Sequence, residues 1–237
     1  MRWPPLVLVA HGTSSPCGLS TVEGVAARVR TARPGLPVSL CYVDVVRPRL
    51  SDVLESMLGP AVVVPLLLST GFHVRRDIPA AVAVGRGPRV VVAPPLGPDR
   101  ALAVALADRL REAGHVRGPV VLAAAGSRDP AAARQVGRMA RMLGSYVGET
   151  VHAAYAHVSA EGEDVRSVVR RLDPRLAVAT YLIADGYFAR RIATAGTLTS
   201  APIGAHPALV RLVLRRYDGA LPRLAGSGAD TWDAAAG

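Results

Sequence analysis

LVLVAHGTSSP (residues 6–16) runs five apolar residues into a histidine, a glycine and a burst of small polar residues, and its outline returns as VVLAAAGSRDP (residues 120–130). Gly12 then falls on Gly126, an offset of 114. Two more pairs follow in the same order. LLLSTGFHVRR (residues 66–76) matches YLIADGYFARR (residues 181–191) with Gly71 on Gly186, an offset of 115. PPLGPDRAL (residues 94–102) matches APIGAHPAL (residues 201–209) with Gly97 on Gly204, an offset of 107. Three anchors at nearly constant spacing predict two tandem copies of one domain. The linker is expected within AGHVRGP (residues 113–119), giving a first domain over 1–115 that carries the active site and a degenerate second over 118–217. Residues 218–237, DGALPRLAGSGADTWDAAAG, turn Gly/Ala-rich, lose their period and are expected to form a flexible tail.

Within the first copy, LVLVA (6–10), VSLCYVDV (38–45), AVVVPLLL (61–68) and RVVVAP (89–94) are short, Val-rich apolar runs. Segments of helical period separate them, among them TVEGVAARVRTA, RLSDVLESML and DRALAVALADRLREA, the last with apolar positions at Leu102, Leu106 and Leu110. This alternation predicts an α/β fold of parallel βαβ units with helices on both faces, in which ligands bind beyond the carboxyl ends of the strands.

The bulk numbers agree. A 237-residue chain that is 50% hydrophobic but 4% aromatic must build its core from Val, Leu and Ala, which suits strands enclosed by helices. The net charge of +10 rests on 28 arginines, since lysine and asparagine are absent. Arginine presents a planar fork for carboxylates and phosphates, so an anionic partner is expected. Nucleic acid is not: no basic run exceeds two residues, and zinc-finger spacing and aromatic-basic interleaving are missing. Two cysteines, Cys17 and Cys41, imply a reducing compartment without a disulfide framework. The apolar start is too short for a signal peptide and no apolar run reaches about 18 residues, so a cytoplasmic protein without a membrane partner is expected.

His11 stands at the lip of the first strand and His73 just past the third, each beside a glycine that permits a sharp turn. Asp44 closes the second run. Two imidazoles and a carboxylate converging without cysteine suit a borderline divalent cation such as Fe2+, Co2+, Ni2+ or Zn2+. Each residue also has a plain structural reading: a histidine after a strand caps or packs a turn, Asp44 caps the next helix, and Arg75 and Arg76 form a solvated helix start. The second copy discriminates, because Ala125 stands opposite His11 and Phe188 opposite His73, while the flanking glycines and the pair Arg190 and Arg191 persist. A packing role would survive duplication as the glycines did; a catalytic role can be dropped from one copy. His157 aligns with Asp44 if one gap is allowed.

LVLVAHGTSSP, CYVDVVRPRL, VVVPLLLSTGFHVRRDIP and HPALVRLVLRRY together resemble the class II chelatases, and among them the sirohydrochlorin chelatases of the long, two-domain cobaltochelatase type. The resemblance spans nearly the whole chain. It implies a flavodoxin-like chelatase fold in each half, the substrate in the cleft between halves, and ATP-independent insertion of Fe2+ or Co2+ into sirohydrochlorin for siroheme or cobalamin synthesis. It also implies that His11 and His73 are the catalytic and metal-binding pair, to which the strand-end reading adds Asp44 as a candidate third metal ligand. The family carries a glutamate where this chain has Asp44, one methylene shorter. Gly12, Thr13, Ser14, Ser15, Thr70, Gly71, Phe72, Arg75 and Arg76 form the expected substrate-binding set, the small residues leaving room for a flat macrocycle and the arginines facing its carboxylates. No permanently bound cofactor is expected; the divalent metal is a substrate.

Two rival readings stand beside this one. LVLVAHGTSS also resembles the opening of histidine phosphatases, but the arginine that grips phosphate there is Ala10 here. A non-catalytic metal or tetrapyrrole carrier would use the same histidines without turnover. A two-copy chain builds within itself the cleft that a single-domain relative forms by dimerising, so a monomer or weak homodimer is expected.

Overall fold

The computed structural model describes residues 3–71, 73–84, 89–157, 162–172, 176–196 and 198–225, the side chains of His73 and Val84 excepted. Strands β1 (Leu6–Ala10), β2 (Val38–Tyr42), β3 (Ala61–Pro65) and β4 (Val90–Val92) form a parallel sheet in the order β2-β1-β3-β4. Strands β5 (Val120–Ala124), β6 (Val151–Tyr155), β7 (Ala177–Tyr181) and β8 (Leu198–Thr199) repeat it as β6-β5-β7-β8, again all parallel. The four apolar runs of the first copy are its four strands, and β2 ends at Tyr42, two residues short of Asp44.

Both faces of each sheet are covered, which is why the strands read as unbroken apolar runs. Side chains alternate across a strand, so Leu6, Leu8 and Ala10 of β1 and Val120, Leu122 and Ala124 of β5 enter one central core. Val7 and Val9 face a separate outer core with Leu50 and Leu54 of helix α2 (Leu50–Glu55) and Ile78 of α3 (Ile78–Val84). Val121 and Ala123 do the same with α6 (Val165–Leu172) and Ile192 of α7 (Tyr187–Ala193). Each such Val or Leu, fully buried, contributes about 1.5–3 kcal/mol.

The central layer holds α1 (Pro16–Ala32), α4 (Arg100–Glu112), α5 (Pro130–Val147) and α8 (Pro207–Ala225). Here the two copies exchange their last helices. Helix α4 packs on α5 and β7 of the second copy, and α8 packs on α1, β3 and β4 of the first. Two arginines fasten the exchange at equivalent positions: Arg109 donates to the Ile203 carbonyl at 3.2 and 2.9 Å, and Arg216 donates to the carbonyls of Pro95 and Leu96 at 3.1 and 3.3 Å. Arg215 and Arg216 also pair with Asp99, the N-cap of α4, at 2.7 and 3.2 Å.

The expected flexible tail begins too early. Helix α8 continues from Tyr217 to Ala225, because Ala220 and Leu224 carry its buried stripe onward and Asp218 pairs with Arg33 of the first copy at 2.5 Å. Residues 226–237 lie outside the described residues. No helix among the described residues is long and apolar enough to cross a membrane.

At the start of α8, His206 occupies the place that Asp99 holds at α4. Its Nδ1 accepts the Ala208 N–H at 3.1 Å and its Nε2 lies 3.1 Å from Asp108, so the ring is neutral, with the proton on Nε2. Burial lowers its pKa below the ordinary 6.5, outweighing the pull of Asp108. A proton on Nδ1 would set two donors face to face. The unfolded chain takes up that proton first, so this stabilisation is complete above pH 6.5 and is lost as pH falls below it. In thermal melts between pH 7.5 and 5.5, His206→Asn, which keeps a capping oxygen and does not titrate, is expected to lose less stability than the wild type. Parallel melting curves across that range would refute this.

Candidate active site

The carboxyl ends of β1, β3, β5 and β7 open onto one cleft of about 620 Å³ between the two sheets. Its lining is mostly apolar, and both halves contribute. From the first come Ala10, His11, Gly12, Thr13 and Ser14 after β1, and Leu66 to Ser69 with Gly71 after β3. Across the pseudo-twofold stand Ala124 to Ser127 after β5 and Tyr181 to Ala189 after β7.

His11 follows β1 directly and is exposed at the cleft. Its Nδ1 lies 3.1 Å from the Gly12 carbonyl. A carbonyl only accepts, so Nδ1 is the donor in this contact, and an imidazole is a group that can take a metal or a proton. Gly12 has φ +97°, and a Cβ there would overlap the Asp44 carbonyl. That close approach is required because the Asp44 N–H donates to the His11 carbonyl at 3.0 Å, carrying the β1–β2 pairing past the strand end. Asp44 is therefore tied to His11 through its backbone. Its carboxylate is exposed, lies 3.9 Å from Arg49, and is absent from the cleft lining. Val45, by contrast, does line the cleft, with φ +69°, a conformation a β-branched residue rarely adopts. The Val46 N–H donates to the Asp44 carbonyl at 2.8 Å and closes the tight turn around it.

His73 opens a π-helical turn, His73–Asp77, that leads into α3. The backbone is placed; the imidazole, like all of Phe72, lies outside the described residues. The loop that carries it is held from the other half. Gln135 of α5, the only side-chain amide in the sequence, accepts from the Thr70 N–H at 2.8 Å and donates to Thr70 Oγ1 at 2.8 Å. Arg75 lies 3.5 Å from Asp129, which caps α5. Of the expected substrate-binding set, Gly12, Thr13, Ser14 and Gly71 line the cleft; Ser15 caps α1, and Thr70, Arg75 and Arg76 stand outside the lining.

The second half completes the site in ways the residue types did not announce. The Tyr181 hydroxyl on β7 donates to the Leu68 carbonyl at 3.0 Å, joining the halves at the cleft floor, and burial pushes its pKa far up, so it stays a donor. Ala125 and Phe188, the counterparts of His11 and His73, line the same cleft. His157 is the structural counterpart of Asp44: its N–H donates to the Ala125 carbonyl at 3.0 Å, and Gly126, at φ +109°, makes the close approach there. The internal alignment held these correspondences; the shared cleft did not show in it.

Among the described residues no three His, Cys, Asp or Glu side chains gather as a metal cage. Both cysteines are free thiols, and burial pushes Cys41 up to about 12, so it offers no thiolate.

The sequence matches the family model CbiX over residues 5–113 and again over 119–220. It is 30% identical over 125 residues to a sirohydrochlorin cobaltochelatase of Saccharolobus solfataricus, covering 45% of this chain and 93% of that protein. A sirohydrochlorin ferrochelatase of Priestia megaterium is 27% identical over 152 residues, covering 58% of this chain and 56% of that protein. The structure is similar to the sirohydrochlorin chelatase SirB of Bacillus subtilis subspecies spizizenii in complex with cobalt, with a TM-score of 0.76 at 20% identity, covering 93% of this chain and 96% of that one.

Proposed function

The chain belongs to the CbiX family, and from that premise and the cleft we propose that it is a sirohydrochlorin chelatase, inserting Fe2+ or Co2+ into sirohydrochlorin for siroheme or cobalamin synthesis. The observation that carries this is His11: an exposed imidazole held at the end of β1 on the wall of a mostly apolar cleft shared by both halves.

Insertion replaces two pyrrole protons of the macrocycle with a metal that arrives on one face. The protein must hold the ring flat, present the metal, and accept protons near neutral pH. His11, with His73 brought to the same sheet edge by β3, divides those tasks in the first half, which we take as the domain carrying the active site. Thr13 and Ser14 offer small polar groups to the ring's acidic rim. Asp44 acts through the His11 carbonyl rather than as a ligand in this arrangement, since its carboxylate faces Arg49. The metal is substrate, and no resident cofactor enters the scheme.

The test is anaerobic visible spectroscopy of sirohydrochlorin with Co2+ or Fe2+ at substoichiometric protein. Metallated product is expected to exceed one equivalent per chain, the faster metal indicating the pathway. Accumulation that stops at one equivalent would replace the enzyme with a carrier.

A further inference from the structure

The two halves present the same positions to one cleft with opposite chemistry, and we infer that the second half is a stacking platform for the macrocycle, built from Tyr187, Phe188 and Arg190. This rests on the chelatase reading and adds to it a binding role for the copy that lacks the histidines.

Aromatic residues are scarce here, only 4% of the chain, with two phenylalanines in all. Yet Tyr187 and Phe188 stand side by side at the cleft, 62% and 38% exposed, while Tyr42, Tyr155, Tyr181 and Tyr217 are buried. Leaving two adjacent rings in water is unfavourable unless something flat covers them. Their centroids are 5.3 Å apart and their planes 75° from parallel, so one ring can meet a planar ligand face-on while the other meets it by its edge. Phe188 replaces His73, and Ala125 replaces His11, across the cleft from the side that would deliver the metal. A ring seated on the apolar half therefore turns its other face toward His11.

Charge points to the same occupant. Arg75 of the first half is paired with Asp129 at 3.5 Å. Its counterpart Arg190, one turn beyond Tyr187, is exposed, and the position corresponding to Asp129 is Ser15. The Arg190 N–H donates to the Gly186 carbonyl at 3.0 Å, while its guanidinium makes no ion pair or hydrogen bond among the described residues and is available to a peripheral carboxylate. The two seams between the halves differ accordingly. The His73 loop is clamped through Thr70 and Gln135, whereas on the Tyr187 side Gly18 of α1 lies close against the Asp185 carbonyl. An apolar platform with a basic edge fits a flat macrocycle with an acidic rim.

The experiment is an anaerobic absorbance titration of metal-free sirohydrochlorin into wild type, Phe188→Ala, Phe188→Leu, Tyr187→Ala and Arg190→Gln, with a Co2+ titration of each protein without macrocycle. The alanine variants are expected to bind the macrocycle about 10-fold more weakly while Co2+ binding stays unchanged. Phe188→Leu, which keeps the apolar volume and the fold, is expected to recover less than half of that loss, and Arg190→Gln to weaken the salt dependence of binding. Wild-type binding that survives unaltered in all four variants would overturn the platform and leave the chelatase reading intact. A wild type that does not bind sirohydrochlorin at all would overturn both.

Discussion

His11→Ala is expected to reduce metal insertion to near the spontaneous rate, a loss of about 10²- to 10⁴-fold from removing a positioned proton acceptor or ligand. The fold should survive it, because His11 is exposed and its Nδ1 contact is to the carbonyl of the adjacent Gly12. Binding of metal-free sirohydrochlorin should change little, since the apolar lining and the rings of the second half are untouched. The loss therefore belongs in kcat rather than in KM for sirohydrochlorin. His73→Ala is expected to act in the same direction, and the double variant to lose far less than the sum, as groups sharing one step do. A His11→Ala protein with wild-type turnover would remove the imidazole from the chemistry and return the cleft to a binding role.

Gly97→Ala should be strongly destabilising. Gly97 begins the turn into α4, and a Cβ there would overlap both the Tyr181 hydroxyl and the Leu68 carbonyl, the two partners of a 3.0 Å bond that crosses between halves at the cleft floor. Neither can yield cheaply, because Tyr181 is fully buried and Leu68 O is backbone. Overpacking plus a broken buried hydrogen bond costs about 2–4 kcal/mol, or roughly 5–15 °C in Tm for a chain of this size. Gly219→Ala is the control: it lies on the exposed face of α8 with open space around it, and is expected to stabilise by about 0.5–1 kcal/mol. Adding Tyr181→Phe should relieve part of the Gly97→Ala penalty by removing one of the overlapping atoms. Equal melting temperatures for wild type and Gly97→Ala would refute the account of this junction.

Much of this could be read in the chain, and particular residues show where reading stopped. The Val-rich runs name the strands because strands buried on both faces leave no polar alternation to confuse them. His11 was legible as a site residue because it breaks such a run, and the copy with Ala125 shows that the break is not structural. Asp44 was legible as a neighbour of His11 but not in its direction: β2 ends at Tyr42, and the tight turn at Val45 leaves the carboxylate facing Arg49. Gln135 gave no signal beyond being the only side-chain amide, since its partner Thr70 is 65 residues away. The tail through Ala225 was misread because Gly219 and Pro222 hide a helical stripe that only its buried residues reveal.

The amino-acid sequence by itself determined the local elements, their βα alternation, the duplication and the asymmetry between a histidine-bearing copy and one without. Those properties follow from side-chain period and residue identity, which are local. The tertiary structure alone decided that α4 and α8 change places, that Tyr181 closes the cleft on Leu68, and that Phe188 lines the same cleft as His11. An amphipathic helix specifies that one stripe must be buried, not which sheet buries it, and two similar sheets offer similar apolar faces. The choice is made by pairs far apart in the chain, Arg109 with Ile203 and Arg216 with Leu96, whose partners become visible only when the two halves have packed.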